Sequence, residues 1–370
     1  VNDATPPTRP DLSPAEGASS PTRPGSSLGE GGSSPTRPDP SPGAAEIPPT
    51  VADLGEERLL ARIFPILPAG DSTLLGPGDD AAVIAAPDGR FVVSTDVLVQ
   101  DRHFRLDWSD GRAVGRRAAA QNLADIAAMG ARPTAMVVSL VLPGELPVSW
   151  VTDLAQGLAD LCGPVGAGVV GGDLSGGDAV VVAVTVHGDL AGRAPVLRSG
   201  ARPGDVVALA GTVGRSAAGW ALLSDGALTE ADDELIEVFR APRPPLDAGP
   251  RAADAGATAM LDVSDGLLRD AGRIARASGV VLDLGRPEQV LTDDLAAVAG
   301  AAHRLGIDPV GWVLTGGEDH GLLATFPEST PVPAGFRVIG RVRSAESAPG
   351  VLVDGRAPGA LSPGWDHFGG

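Results

Sequence analysis

Five short segments, each coupling an acid with glycine or a hydroxyl residue at the end of a predicted element, constrain this chain more than any other feature. They are Gly78-Asp79-Asp80-Ala81-Ala82-Val83, Phe91-Val92-Val93-Ser94-Thr95-Asp96, Gly171-Gly172-Asp173, Leu261-Asp262-Val263-Ser264-Asp265-Gly266 and Gly316-Gly317-Glu318-Asp319. Strand ends lie close together in an α/β fold, so acids at several of them can converge on one site. Oxygen donors of this kind suit Mg²⁺, which is held by a few carboxylates together with substrate phosphates. The glycines let backbone approach phosphate closely. Any one segment is also ordinary turn or helix-cap chemistry. Five of them together favour a shared site.

The composition narrows the partners. A formal net charge of −19 argues against nucleic acid or an anionic membrane as the main partner. A polyanion can still bind if divalent cations sit between it and the carboxylates. The single cysteine, Cys162, excludes an internal disulfide and a multi-cysteine metal site. No apolar run approaches the roughly 20 residues of a membrane span and no signal pattern opens the sequence, so a cytoplasmic location is expected. The chain has no lysine, which rules out both the phosphate-binding loop that needs one and the strand lysine of protein kinases.

At 370 residues the chain exceeds what one core usually serves, and two domains plus a tail are expected. Residues 1–50 are rich in Pro, Ser and Gly, repeat Pro-Thr-Arg-Pro at Pro7, Pro21 and Pro35, and read as a disordered tail. Leu54, Leu59, Leu60, Ile63, Phe64 and Leu67 follow helical spacing. A strand is predicted over Phe91–Val93, a long Ala-rich helix over Arg112–Met129, a strand over Ala135–Leu142 and a helix over Val148–Leu161. Strands near Gly168–Val170 and Val180–Val186 complete a first domain, 51–190. In the second domain, 191–370, helices are predicted at Ser216–Leu223 and Leu267–Ala277. Strands are predicted at Val206–Ala210, Val280–Leu284, Trp312–Leu314, Gly321–Phe326, Phe336–Ile339 and Val351–Val353.

Asp125 lies near the C-terminal end of the Ala-rich helix, where the helix dipole does not favour an acid. It shares a face with Asn122, and that face meets either solvent or a metal. Gly166-Ala167-Gly168-Val169-Val170-Gly171 matches a dinucleotide fingerprint only in letters, because a helix precedes it and a strand runs through it. Cys162 reads as a packing residue. The five histidines show no zinc-ligand spacing, and His187 and His303 read as structural.

Taken in order, GPGDDAAV, STD, HF, NLADIAAMGARP, GGD, LRSGARPGD, LDVSDGL, TGGEDH and GWDHF resemble the thiamine-monophosphate kinase family. That family falls within the superfamily that includes aminoimidazole ribonucleotide synthetase and selenophosphate synthetase. The resemblance runs from about Asp53 to Phe368. It implies an α/β (mixed α+β) chain of two domains, with an N-terminal sheet that forms a barrel in a homodimer and a C-terminal α/β sandwich. It further implies ATP as donor, thiamine monophosphate as acceptor, and several Mg²⁺ ions. By position, Asp80, Ser94, Thr95, Asp96, Asp125, Asp173, Asp262 and Asp265 look like the metal site. Gly172, Asp173, Arg198 and Ser264 look like nucleotide contacts, and His103, Glu318 and Trp365 look like the thiamine phosphate pocket. Asp265, Asp173 and Arg198 are the expected catalytic groups. The segment before Gly171 offers no ring to stack on adenine. The alternatives are a sibling enzyme such as an aminoimidazole ribonucleotide synthetase, or a non-catalytic cation- or nucleotide-binding protein.

Overall fold

The computed structural model describes residues 48–77, 81–226, 228–359 and 364. The Pro-Thr-Arg-Pro segment, Asp79, Asp80 and Trp365 lie outside the described residues. Thr50 opens the first helix: its hydroxyl accepts from the Asp53 amide and the Asp53 carboxylate returns to the Thr50 amide, a capping box. Helix α1 (Val51–Leu54) stops at Gly55, whose φ of 71° separates it from α2 (Glu56–Ile63). There follow β1 (Thr73–Leu75), β2 (Val83–Ile84), β3 (Val92–Val99), α3 (Gly111–Ala128), β4 (Arg132–Leu142), α4 (Val148–Cys162), β5 (Gly168–Gly176) and β6 (Val181–Asp189).

Strands β3 to β6 form one sheet in the order β3-β6-β4-β5, antiparallel except for the β4–β5 pair. Leucines and valines from α3, α4 and one sheet face share a core with Leu59 and Phe104. The opposite face is open, with Val93 and Val97 of β3, and Phe91 just before it, at 54%, 44% and 61% exposure.

The second half supplies β7 (Val206–Ala210), α5 (Arg215–Asp225), α6 (Asp233–Arg240), α7 (Ala248–Asp254), β8 (Ala259–Val263), α8 (Leu267–Ser278), β9 (Val280–Leu284), α9 (Pro287–Val290), α10 (Thr292–Leu305), α11 (Pro309–Thr315), β10 (Gly321–Phe326), β11 (Phe336–Ser344) and β12 (Gly350–Val353). Its sheet runs β12-β9-β11-β7-β10-β8. Strands β7, β8 and β10 are buried along their whole length because both faces are covered. Side chains from α5, α8, α10 and α11 pack on one face. The other face packs on α7 and on Ala127 and Ala128 of α3. Helix α3 is therefore shared: Leu123 and Ile126 enter the first core while its last turn enters the second. A helix enclosed this way needs small residues all round, which explains its alanines. Among the described residues no helix is long and apolar enough to cross a membrane.

Three expectations are corrected. Trp312–Leu314 is helical, because Asp308 accepts from the Val310 amide at 3.0 Å and Pro309 occupies the first helical position. Ser94, Thr95 and Asp96 lie in the middle of β3 and not at its end, and Gly172 and Asp173 likewise lie inside β5. Polar residues on one face of a strand read as its end when the period of two is missed.

Candidate active site

Alternation along β3 turns Ser94 and Asp96 toward α3, and Thr95 to the other face. Ser94 Oγ donates to Asp125 Oδ2 at 2.6 Å. Asp262, near the end of β8 and buried, meets Nδ1 of the buried His320 at 3.1 Å. Burial pushes the Asp96 carboxyl up to about 7, helped by the charges of Asp125, Asp262 and Glu318 and opposed by His320. Burial and Asp262 likewise push Asp125 up, against Ser94, His320 and Arg198. Three aspartates from β3, α3 and β8 thus sit within electrostatic reach of one another with too little positive charge between them. Such a site takes up protons or cations.

Among the described residues no group of three acids, histidines or cysteines is already spaced as a metal cage. The donor set still fits Mg²⁺, which keeps waters and phosphate oxygens in its shell and needs only one or two carboxylates per ion.

A second layer of the site is the loop that leads into β10. A Cβ on Gly317 would stand 2.2 Å from the Ser264 carbonyl oxygen, so only glycine lets this loop lie against residues 264–265. The Glu318 amide then donates to Ser264 O at 2.8 Å. Glu318 and His320 hold left-handed backbone, φ 70° and 54°, which Asp319 secures from between them. Its carboxylate accepts from Thr212 Oγ1 at 2.9 Å and from the Arg215 and Ser216 amides at 3.2 and 3.1 Å, capping α5 from a distance. Burial works against the charge on Glu318, but Arg117, His320 and His103 outweigh it and hold the carboxyl below its usual range. Nδ1 of His103 accepts from the Val99 amide at 2.9 Å.

Asp265 is ion-paired with Arg273, and its amide donates to Asp270 Oδ2 at 2.9 Å. Arg273 also meets Asp270 Oδ1 at 2.5 Å. Asp270 is fully buried, and burial pushes it up to about 7 against the pull of Arg273, with Asp262 and Asp265 adding to the rise.

The structure therefore brings Ser94, Asp96, Asp125, Arg198, Asp262, His103 and Glu318 into one region, with Ser264 and Asp265 alongside. It does not bring Gly172 and Asp173 there. They lie on β5, at the opposite edge of the first sheet from β3, where they line a recess of ≈ 730 Å³ with Phe64, Pro77 and His187. Thr95 faces away from Asp96 and donates to Val184 O at 2.8 Å. Asp80 and Trp365 are outside the described residues, but Gly364 is not, and it packs on the Asp265 carbonyl oxygen. Sequence reasoning missed Arg117, Asp270, Arg273 and His320. The Asp270–Arg273 spacing on α8 and the position of His320 directly after Asp319 were the available signals.

Residues 78–190 match the AIR synthase related protein, N-terminal domain, and residues 202–307 match the C-terminal domain of the same description. A hydrogenase maturation protein, HypE, in complex with ATP shares the fold at 19% identity (TM-score 0.61, 82% of this chain and 89% of that one). More similar are thiamine-monophosphate kinases. That of Mycobacterium tuberculosis is 52% identical over 321 residues, 87% of this chain and 94% of the relative, and that of Corynebacterium glutamicum is 43% identical over 327 residues, 86% and 95%. AaThiL complexed with AMPPCP and TMP superposes with a TM-score of 0.68 at 31% identity, over 85% of this chain and 98% of that one. The chain belongs to the thiamine-monophosphate kinase family.

Proposed function

We propose that this chain transfers the terminal phosphoryl group of ATP to thiamine monophosphate, giving ADP and thiamine diphosphate. One observation carries the reading beyond family membership: Asp96, Asp125 and Asp262, from three separate elements, share one buried region, in which burial and mutual charge push Asp96 and Asp125 upward and Asp262 is held by His320. The acceptor is itself an anionic phosphate, so no strong base is needed. The barrier lies in bringing two polyanions together and spreading charge over the group in flight. Bound Mg²⁺ supplies the neutralising charge and the orientation.

In this reading Asp96, Asp125 and Asp262, with Asp80, Ser94, Thr95, Asp173 and Asp265, hold the metal ions. Arg198 meets phosphate, and Gly172 and Ser264 meet the nucleotide. His103, Glu318 and Trp365 receive the thiamine phosphate, the last through an aromatic face that attracts the thiazolium cation. Transfer is direct and in line, with no phosphoenzyme. The domains divide as 51–190 and 191–370, and the enzyme works in the cytoplasm as a homodimer joined through its first sheets. That dimer would cover Phe91, Val93 and Val97, and a partner subunit would carry its own Gly172–Asp173 edge toward the acids that this chain's β5 does not reach.

The test is acceptor-dependent ADP release from Mg²⁺-ATP. Thiamine monophosphate should support turnover while free thiamine and a no-acceptor control do not. No acceptor dependence would favour a nucleotide-binding protein, and preference for free thiamine would make this a different kinase. A phosphorylated enzyme trapped during turnover would overturn the direct mechanism.

A further inference from the structure

Arg117 is the one buried cation of α3, whose other buried residues are mostly apolar, six of them alanine. Its side chain is 3% exposed, and an arginine is rarely so enclosed without a specific partner. Both partners come from the second half of the chain. Nη1 donates to the Phe239 carbonyl oxygen at 2.7 Å, and Nη2 donates to Glu318 Oε2 at 2.6 Å. The guanidinium also lies 4.9 Å from the centre of the Phe239 ring. Nε is buried and makes no hydrogen bond among the described residues. A desolvated cation with an unused donor is a weak device for holding two halves together, since burying it costs much of what the pair returns.

Its geometry is better suited to aiming Glu318. The backbone of Glu318 is already fixed by its left-handed φ and by the bond to Ser264 O. The side chain remains about one third exposed. The contacts from Arg117 and His320 both fall on Oε2, which leaves Oε1 as the oxygen a ligand can use. Asp125 stands eight residues further along the same helix, about 12 Å by the helical rise. One rigid element therefore carries both the group that orients Glu318 and a carboxylate of the acid cluster.

We propose that Arg117 is a positioning residue for the acceptor: it pins one oxygen of Glu318 so that the other takes the thiamine end of thiamine monophosphate at a set distance from the phosphate-binding acids. This rests on Glu318 being an acceptor contact, as read above. A lysine would replace the charge but not the fork that reaches Phe239 and Glu318 together.

The experiment is steady-state kinetics of Arg117→Met and Arg117→Lys, alone and combined with Glu318→Gln, with ATP and thiamine monophosphate varied separately and melting temperatures recorded. Arg117→Met should raise KM for thiamine monophosphate by about 10-fold or more, the scale of a lost charge-assisted hydrogen bond, and leave KM for ATP within about twofold. Arg117→Lys should recover part of the loss. In the Glu318→Gln background, Arg117→Met should add little, because the two residues act as one unit. Equal rises in both KM values, or fully multiplicative effects in the double variant, would overturn the proposal and leave Arg117 as a structural clamp. Should Arg117→Met not fold, Arg117→Lys carries the same comparison against Glu318→Gln. A wild-type enzyme inactive on thiamine monophosphate would instead remove the substrate reading beneath it, and that result is seen before any variant is made.

Discussion

Ser94 Oγ and Asp125 Oδ2, 2.6 Å apart, join the middle of β3 to the last turns of α3. The bond does two things for an acid in an unfavourable place. It fixes the carboxylate's direction, and it opposes the upward push of burial and Asp262. Ser94→Ala should therefore leave the fold intact and raise the Mg²⁺ concentration for half-maximal activity by about 10-fold, the lower range for loss of a ligand's outer partner. Titrating activity and melting temperature with Mg²⁺ checks this. An unchanged requirement would remove Ser94 from the metal site.

Asp96 gives a stability signature that can be read without substrate. Its folded value of about 7 lies above the ordinary 3.8, so the folded chain keeps a proton that the unfolded chain releases between those values. The resulting stabilisation is complete below about pH 4 and is lost as pH rises through 7. With metal chelated, Asp96→Asn should be more stable than the parent at pH 8, by on the order of 1 kcal/mol, and so melt higher. Asp270, also raised to about 7, would keep some slope of the same sign in the variant. Added Mg²⁺ should stabilise the parent and not Asp96→Asn. Melting curves from pH 4 to 9 in chelator decide the matter, and a variant less stable than the parent at pH 8 would contradict it.

Far less of the site than of the fold was legible in the sequence. The Ala-rich helix announced itself, because a helix buried all round needs small residues along its length. What it faces did not. Arg117 finds Glu318 across 201 positions of sequence, and no local spacing marks such a pair. Strand order was equally hidden. Asp96 and Asp173 occupy similar settings in sequence, yet the order β3-β6-β4-β5 sends them to opposite edges of one sheet. Trp312–Leu314 shows the limit of short apolar runs, which suit strand or helix until a cap such as Asp308 is weighed.

The His320–Asp262 pair should shape the alkaline side of the stability curve. Burial disfavours charge on His320, but its bond to Asp262 and the charges of Asp262 and Glu318 outweigh that and push it up to about 9 from 6.5. Its contribution is present below pH 6.5 and is lost as pH rises through 9. His320→Gln leaves Asp262 buried without its cation, at a cost of about 3–5 kcal/mol near neutrality. The gap in melting temperature between parent and variant should narrow steadily from pH 6.5 to 9.5. A gap independent of pH would show that packing, and not charge, is what His320 supplies.

Gly172 separates a packing role from a nucleotide role. An alanine Cβ there would stand 1.8 Å from the Val138 carbonyl oxygen and 2.7 Å from its carbonyl carbon. Both atoms belong to β4, the strand whose Val138 is in register with Gly172, so neither can yield without disturbing the pairing. Gly176 ends the same strand with nothing within 4 Å of such a Cβ. Gly172→Ala should cost about 2–3 kcal/mol, the upper range for overpacking, while Gly176→Ala stays within about 0.5 kcal/mol. Chemical denaturation of both variants measures the difference. The same displacement would carry the neighbouring Asp173 with it, so Gly172→Ala should also weaken ATP binding at temperatures where it remains folded. A destabilised variant with unchanged ATP affinity would restrict Gly172 to holding β5 against β4. An undisturbed stability with lost affinity would mean that the strands can part without cost, and that the glycine is there for the nucleotide alone.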